Sequence, residues 1–172
     1  MISIHVDDQL VLDTLRAVMQ RLGDPTPGLM AVGETLAEST KRRFETSTAP
    51  DGSRWESNSQ TTILNYLGYF KSSFGKSGKI SAKGAARAGA KKPLIGETHA
   101  LSTTITWQLD GYCVLIGSPM IYAGVQQFGA KQGEFSSTPS VPWGDIPARP
   151  FLGISDEDRE DILDIISAFL SP

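Results

Sequence analysis

Apolar residues recur at helical spacing near both ends of this chain and alternate with polar ones in its later middle. Ile2, Ile4 and Val6 alternate with Ser3 and His5, which predicts a short strand. Val11, Leu15, Val18 and Leu22 then fall at i, i+4, i+7 and i+11, predicting a helix over 9–22 capped by Asp7 or Asp8. Gly23-Asp24-Pro25-Thr26-Pro27 breaks that pattern. A second helix is expected to start with Thr26 as N-cap and Pro27 at its first position. Leu29, Val32, Leu36 and Phe44 form its apolar stripe, and Lys41-Arg42-Arg43 suit its C-terminal dipole. So short a link predicts that the two helices lie antiparallel.

The pattern then loosens. Residues 47–59 read as a loop turning at Pro50-Asp51-Gly52, with Trp55 placed to tuck back. Ile63, Leu67 and Phe70 predict a third, shorter helix. From Lys71 to Lys92 the chain is Gly, Ser, Ala and Lys with almost no bulk, which predicts a long mobile loop. Three strand signals follow. Pro93-Leu94-Ile95-Gly96 is one, and Leu101, Thr103, Ile105, Trp107 and Leu109 alternate with polar residues to give the second. Asp110-Gly111 is a hairpin dipeptide, and Tyr112, Val114 and Ile116 continue beyond it. Residues 121–128 suggest a short helix, 129–144 a polar loop, and 146–153 a proline-rich strap.

Ser155 to Asp158 reads as a capping box with Asp at its third helical position. Ile162, Ile165, Ile166, Phe169 and Leu170 then form an apolar face, with Ile162, Ile166 and Phe169 expected in the main core. The acids of the first turns, Asp156, Glu157, Asp158, Glu160 and Asp161, match the positive helix N-terminus. These elements together predict a single α+β domain spanning 1–172. Its helices pack on one face of an antiparallel β-sheet meander, with a long mobile basic loop and a C-terminal amphipathic helix.

Composition narrows the class. At 172 residues and 40% hydrophobic content the chain supports one buried core. Its longest apolar runs are far shorter than a membrane span, and the first residues show no signal-peptide pattern. The single cysteine, Cys113, excludes an intrachain disulfide and fits a reducing cytoplasm. Net charge is −3, from sixteen basic and nineteen acidic residues. Seven of the basic residues and none of the acidic ones lie between positions 71 and 92: Lys71, Lys76, Lys79, Lys83, Arg87, Lys91 and Lys92. The remainder therefore holds nine basic residues against nineteen acidic ones. Such an arm is drawn to phosphate or to an acidic face of another subunit.

Candidate chemistry is sparse. Gly75-Lys76-Ser77 has the tail of a P-loop, but Phe70 stands where that pattern needs glycine and no strand leads in. His5, His99 and Cys113 are too scattered for a metal site, and a Cys113–His99 pair lacks an indicated orienting group. No catalytic residue, metal or cofactor is expected. The basic arm carries only one aromatic, Phe74, so DNA contact there would be non-specific. In the strap, Pro147 and Pro150 bracket Arg149 and keep the backbone extended. Arg149 is expected to bond carbonyls or a carboxylate within the strap.

The order of several short motifs resembles the phage virion morphogenesis family, the tail-completion proteins of Mu-like tailed phages. Arg43-Phe44 is followed by Asp51-Gly52 and Trp55, then Pro93-Leu94-Ile95. Tyr122-Ala123 and Gln127-Phe128-Gly129 come next, then Pro147-Ala148-Arg149-Pro150-Phe151-Leu152-Gly153. The chain departs from the pattern at Gly96-Glu97-Thr98-His99-Ala100-Leu101, where relatives tend to read Asp-Thr-Gly before the leucine. The resemblance implies a non-enzymatic protein made in the host bacterial cytoplasm and carried into the virion. It would complete or terminate the tail and support head–tail joining, as a homo-oligomer and by analogy a hexameric ring around the DNA channel. Its implied partners are tail-tube and head-connector proteins. The alternative is a nucleic-acid-binding accessory protein using the 71–92 arm.

Overall fold

The computed structural model describes residues 9–134 and 144–171. Its elements run α1 (Gln9–Gly23), α2 (Thr26–Thr46), α3 (Gln60–Gly68), α4 (Ala82–Ala90), α5 (Ala100–Thr103), β1 (Thr106–Asp110), β2 (Cys113–Gly117), α6 (Ala123–Phe128) and α7 (Asp156–Leu170). The chain is α+β, and its described residues hold one two-stranded antiparallel sheet, packed against α2. The strand expected at 2–6 and its Asp7 or Asp8 cap lie outside the described residues, as does most of the polar loop expected at 129–144. No helix among the described residues is long and apolar enough to cross a membrane.

The long helix α2 is the axis of the fold, with the hairpin on one side and α7 on another. Two glycines make this possible. A Cβ on Gly33 would stand 2.5 Å from the Trp107 ring of β1, and one on Gly28 would stand 3.1 Å from the Phe169 ring of α7. Glycine in a helix interior costs about 1 kcal/mol relative to alanine. Here the cost is offset by an aromatic side chain laid flat on the helix backbone. In the hairpin, Trp107 pairs with Ile116 and Leu109 with Val114, so the half-buried residues of both strands share one face. Gly111, at φ 58°, begins the two-residue turn that joins them.

Several local expectations shift. Helix α2 begins one residue early, with Pro25 as its cap residue and Pro27 inside its first turn. Asp24, not Thr26, does the polar work there: its Oδ1 accepts from the Thr26 amide at 3.1 Å. Among the described residues, α1 packs on α7 and not along α2. Its main tertiary contact is with α7, where Arg21 donates to the Phe169 carbonyl at 3.0 Å. The strand expected over 101–109 is half helix. Leu101 and Ile105, four apart, are both buried, and only 106–110 is extended. At 93–96 the chain turns instead of extending, with Leu94 at φ 58°, so among the described residues the sheet is a hairpin.

The 71–92 stretch, expected as a loop, carries α4 and a tight bridged turn between Phe74 and Ile80. Small residues are the reason. Ala82–Ala90 is rich in the best helix former, Ser81 caps it by accepting from the Gly84 amide at 3.1 Å, and Gly84 lies against Ser73. A Cβ on Gly84 would stand 2.2 Å from the Ser73 carbonyl. Close backbone contact replaces the side-chain bulk that this stretch lacks.

The core centres on three rings. Phe44 meets Trp55 edge-on and Phe151 at a tilt, both with centroids 5.3 Å apart. Ala37, Ala49, Leu101, Ile105 and Ala123 close around them. The apolar face of α7 was expected inside this core, yet Ile162 and Phe169 are half-buried and Ile166 is exposed. The helix packs on the flank of α2, with Asp158 as its buried residue.

Candidate functional site

The strap at 146–153 is held by backbone bonds in its first half and by side chains from distant parts of the chain in its second. Ile146 forms a two-way bridge with Ala130, and the Arg149 amide donates to the Gln126 carbonyl at 2.8 Å. The Gln127 side chain serves three groups at once. Its Oε1 accepts from the Phe151 and Leu152 amides, both at 2.9 Å, and its Nε2 donates to the Leu152 carbonyl at 3.0 Å. Trp55 Nε1 donates to the Pro150 carbonyl at 2.8 Å. Pro147 and Pro150 offer no amide of their own, which leaves two fewer donors to be satisfied.

Two buried arginines complete the clamp. Arg149 donates from Nε to the Glu56 carbonyl at 2.8 Å and from a terminal nitrogen to the Ser57 carbonyl at 3.0 Å. It therefore ties the strap to the 47–59 loop, where bonding within the strap was expected. Burial lowers the pKa of its guanidinium, and the Glu56 charge pulls the other way. Arg43, read from sequence as a dipole partner, is 6% exposed. It donates to the carbonyls of Phe151 at 2.8 Å and Gly153 at 2.9 Å, and pairs with Asp158.

Asp158 is thus the acid of the capping box and the counter-ion of Arg43 at once. Its Oδ2 takes the guanidinium and the Ser155 amide, whereas its Oδ1 has no fully aligned donor. Burial alone would raise this carboxyl. The Ser39 hydroxyl, the Ser155 amide and hydroxyl, and the Arg43 charge together outweigh burial and hold it below the usual carboxylate range. Sequence reasoning placed Arg43-Phe44 in a motif but missed its partner. The available signal was Asp, not the longer Glu, at the third helical position.

Gly129 ends α6 at φ 75° and ψ 177°, a region essentially reserved for glycine. A Cβ there would stand 2.8 Å from both the Ile146 carbonyl and the Ala148 amide. Gly129→Ala is expected to destabilise the chain by about 1–3 kcal/mol and to loosen the strap. Urea denaturation measures the loss, and an unchanged midpoint would refute this account of the turn.

Beside this clamp lies an exposed apolar edge. Gln127 turns inward, while Phe128 next to it is 80% exposed. Ile121 is fully exposed and Tyr122 nearly half exposed, and together they border a groove floored by Val125, Ala130 and Pro147. The structure therefore gathers Trp55, Gln127, Gly129, Pro147, Arg149, Pro150 and Phe151 into one buttress and leaves Phe128 as its outward face.

The seven arm residues do not act together. Arg87 stacks on Phe70 at 4.5 Å and donates to the Ser72 and Ser73 hydroxyls. Lys91 lies over Tyr66 and donates to the Ile95 carbonyl, and Lys92 donates to the Glu45 carbonyl. Lys71, Lys76, Lys79 and Lys83 stay exposed. Gly75-Lys76-Ser77 forms the bridged turn, with no strand feeding a helix start. His99 and Cys113 are both exposed, and no group of three metal-type ligands converges among the described residues.

Comparison with known proteins places this geometry. The model of the phage virion morphogenesis family matches residues 6–171. The chain is 31% identical over 162 residues to the putative capsid assembly protein G of Escherichia phage Mu, covering 92% of this chain and 85% of that protein. It is 34% identical over 77 residues to the Mu-like prophage FluMu G protein 2 of Haemophilus influenzae. That match takes in 45% of this chain and about half, 51%, of the relative. No solved structure matches the chain.

Proposed function

Because this chain belongs to the phage virion morphogenesis family, with a part in assembling a phage virion, we propose that it completes or terminates the tail and supports head–tail joining. In this reading it works without catalysis, as a ring of copies around the DNA channel, between tail-tube and head-connector proteins. The observation that carries the reading is the buttressed apolar edge. Ile121 and Tyr122 just before α6 and Phe128 at its end stand in solvent, and Gln127 fastens that helix by three hydrogen bonds to a strap rooted in the core. Large apolar side chains held rigidly outward mark a surface made to be covered by protein. Pre-ordering spares the side-chain entropy that a loose loop would lose on docking.

The test is complementation of a phage or prophage lacking this gene product. Without the chain, filled heads and separate tails should accumulate, visible by electron microscopy. Phe128→Asp and Ile121→Asp should fold with near-normal melting temperatures yet fail to restore infectious particles. Normal particle yield from both variants would remove this edge from assembly, and normal particles without the chain would refute the reading itself.

A further inference from the structure

Two surfaces of the chain carry charges that form no ion pair among the described residues. On α7, Glu157, Glu160 and Asp164 recur at i, i+3 and i+7, so they form one exposed row. None of the three forms an ion pair among the described residues, where the helix's own pairs use Asp156 and Asp158. The dipole accounts for acids in the first turn, but its pull has faded at Glu160 and Asp164. Alongside the row, Leu163 and Ile166 are 63% and 43% exposed. The helix thus has a second apolar stripe besides the one laid on α2.

The opposite sign sits on the α3–α4 module. Lys71, Lys76, Lys79 and Lys83 are exposed there, with Tyr69, Ile80 and Leu64 also open to solvent at 75%, 45% and 41%. Helix α4 packs on α3, whereas α7 packs on α1 and α2. The two charged faces therefore do not meet within one copy.

We propose that they meet between copies: the acid-edged stripe of α7 in one copy docks on the lysine-bearing α3–α4 module of the next. This inference rests on the ring reading and names the contact that would close it. A head-to-tail contact needs two different, complementary patches on one chain, and these are two such patches. Each also has apolar side chains among charges, the usual anatomy of a protein interface. Pairing α7 with α7, or module with module, would set like charges against each other and is disfavoured. Nucleic acid would engage the lysines alone. It would give Leu64 and Ile80 nothing to pack on and leave the α7 stripe bare.

Two full-length charge-reversed chains test the contact. One carries Lys76→Glu, Lys79→Glu and Lys83→Glu; the other carries Glu160→Lys and Asp164→Lys, leaving Glu157 to serve the helix N-terminus. Thermal melts confirm that each folds, and native mass spectrometry with light scattering reads the assembly state. Wild-type chain should assemble, and less so as salt rises. Each reversed chain should associate at least about a hundredfold more weakly. An equimolar mixture should assemble again, with the two chains alternating. A mixture that stays monomeric overturns the proposal. So do reversed chains that assemble as wild type does; if the lysine variant then fails to bind duplex DNA, the lysines serve phosphate. Persistent rings in both variants leave the ring reading intact and remove only this contact, whereas a monomeric wild type removes the ring itself.

Discussion

Arg43→Met is expected to destabilise the chain by about 3–5 kcal/mol, the usual cost of removing one partner of a buried ion pair. Three acceptors lose the guanidinium: the buried Asp158 carboxylate, the buried Phe151 carbonyl and the part-buried Gly153 carbonyl. Methionine fills much of the same space, so the loss reports polar groups left unpaired and not a cavity. Urea denaturation measures it. The double variant Arg43→Met/Asp158→Leu should recover a good part of the stability, since it removes both charges together. Single and double variants of equal stability would show that the pair is incidental.

The pH dependence follows from the same pair. Asp158 is held below its ordinary value in the folded chain, against about 3.9 when unfolded. The contribution is therefore fully present above about pH 4 and is lost as pH falls through the lower folded value. Asp158→Asn should be less stable at neutral pH and lose less further stability on acidification. A parallel profile for the two proteins would contradict this.

Phe151→Ala is expected to cost a similar amount, about 3–5 kcal/mol, for a different reason. Its ring is fully buried against Phe44, and it holds the strap over the core. A domain of this kind has only about 5–15 kcal/mol to lose, so the variant should be partly unfolded at growth temperature. Trp55, bonded to the neighbouring Pro150 carbonyl, should then shift its fluorescence toward that of water-exposed indole. Phe151→Leu should fall between the two. An alanine variant with native melting and native Trp55 emission would place the keystone elsewhere.

What the sequence declared, it declared through local chemistry. The Ser155–Asp158 capping box and the Pro50-Asp51-Gly52 turn formed as their residues specify, and the hairpin formed with its turn one residue on, at Gly111-Tyr112. These signals are complete within a few positions. The misreadings share another cause: contact from afar decides the outcome. Nothing near Gly28 and Gly33 in the sequence explains them; Phe169 and Trp107, laid against them from afar, do. The alternation from Leu101 to Leu109 hides the i, i+4 pair Leu101 and Ile105. Ala82–Ala90 has too little bulk to be noticed as packed, yet Gly84 brings its backbone onto Ser73. In the candidate site, the motif residues Trp55, Gln127 and Arg149 were identifiable, but their targets are backbone groups. Nearly every residue type supplies those groups, so no letter in the chain marks them.

The clamp also sets an order of events during synthesis. Arg43 waits for a carbonyl 108 positions later, Trp55 for one 95 later, and Arg149 reaches back 93 to Glu56. Closures this distant are slow, because the loop entropy is lost before any contact compensates for it. A growing chain therefore exposes Phe44 and Trp55 on the ribosome until residue 151 has emerged. Until then Gln127 has no strap to grip, and the helix bearing Phe128 lacks its backing. The outward edge becomes rigid only in copies that have been translated past the strap. A copy that stops short of Pro150 thus lacks the clamp, because three of its long-range bonds have no second partner.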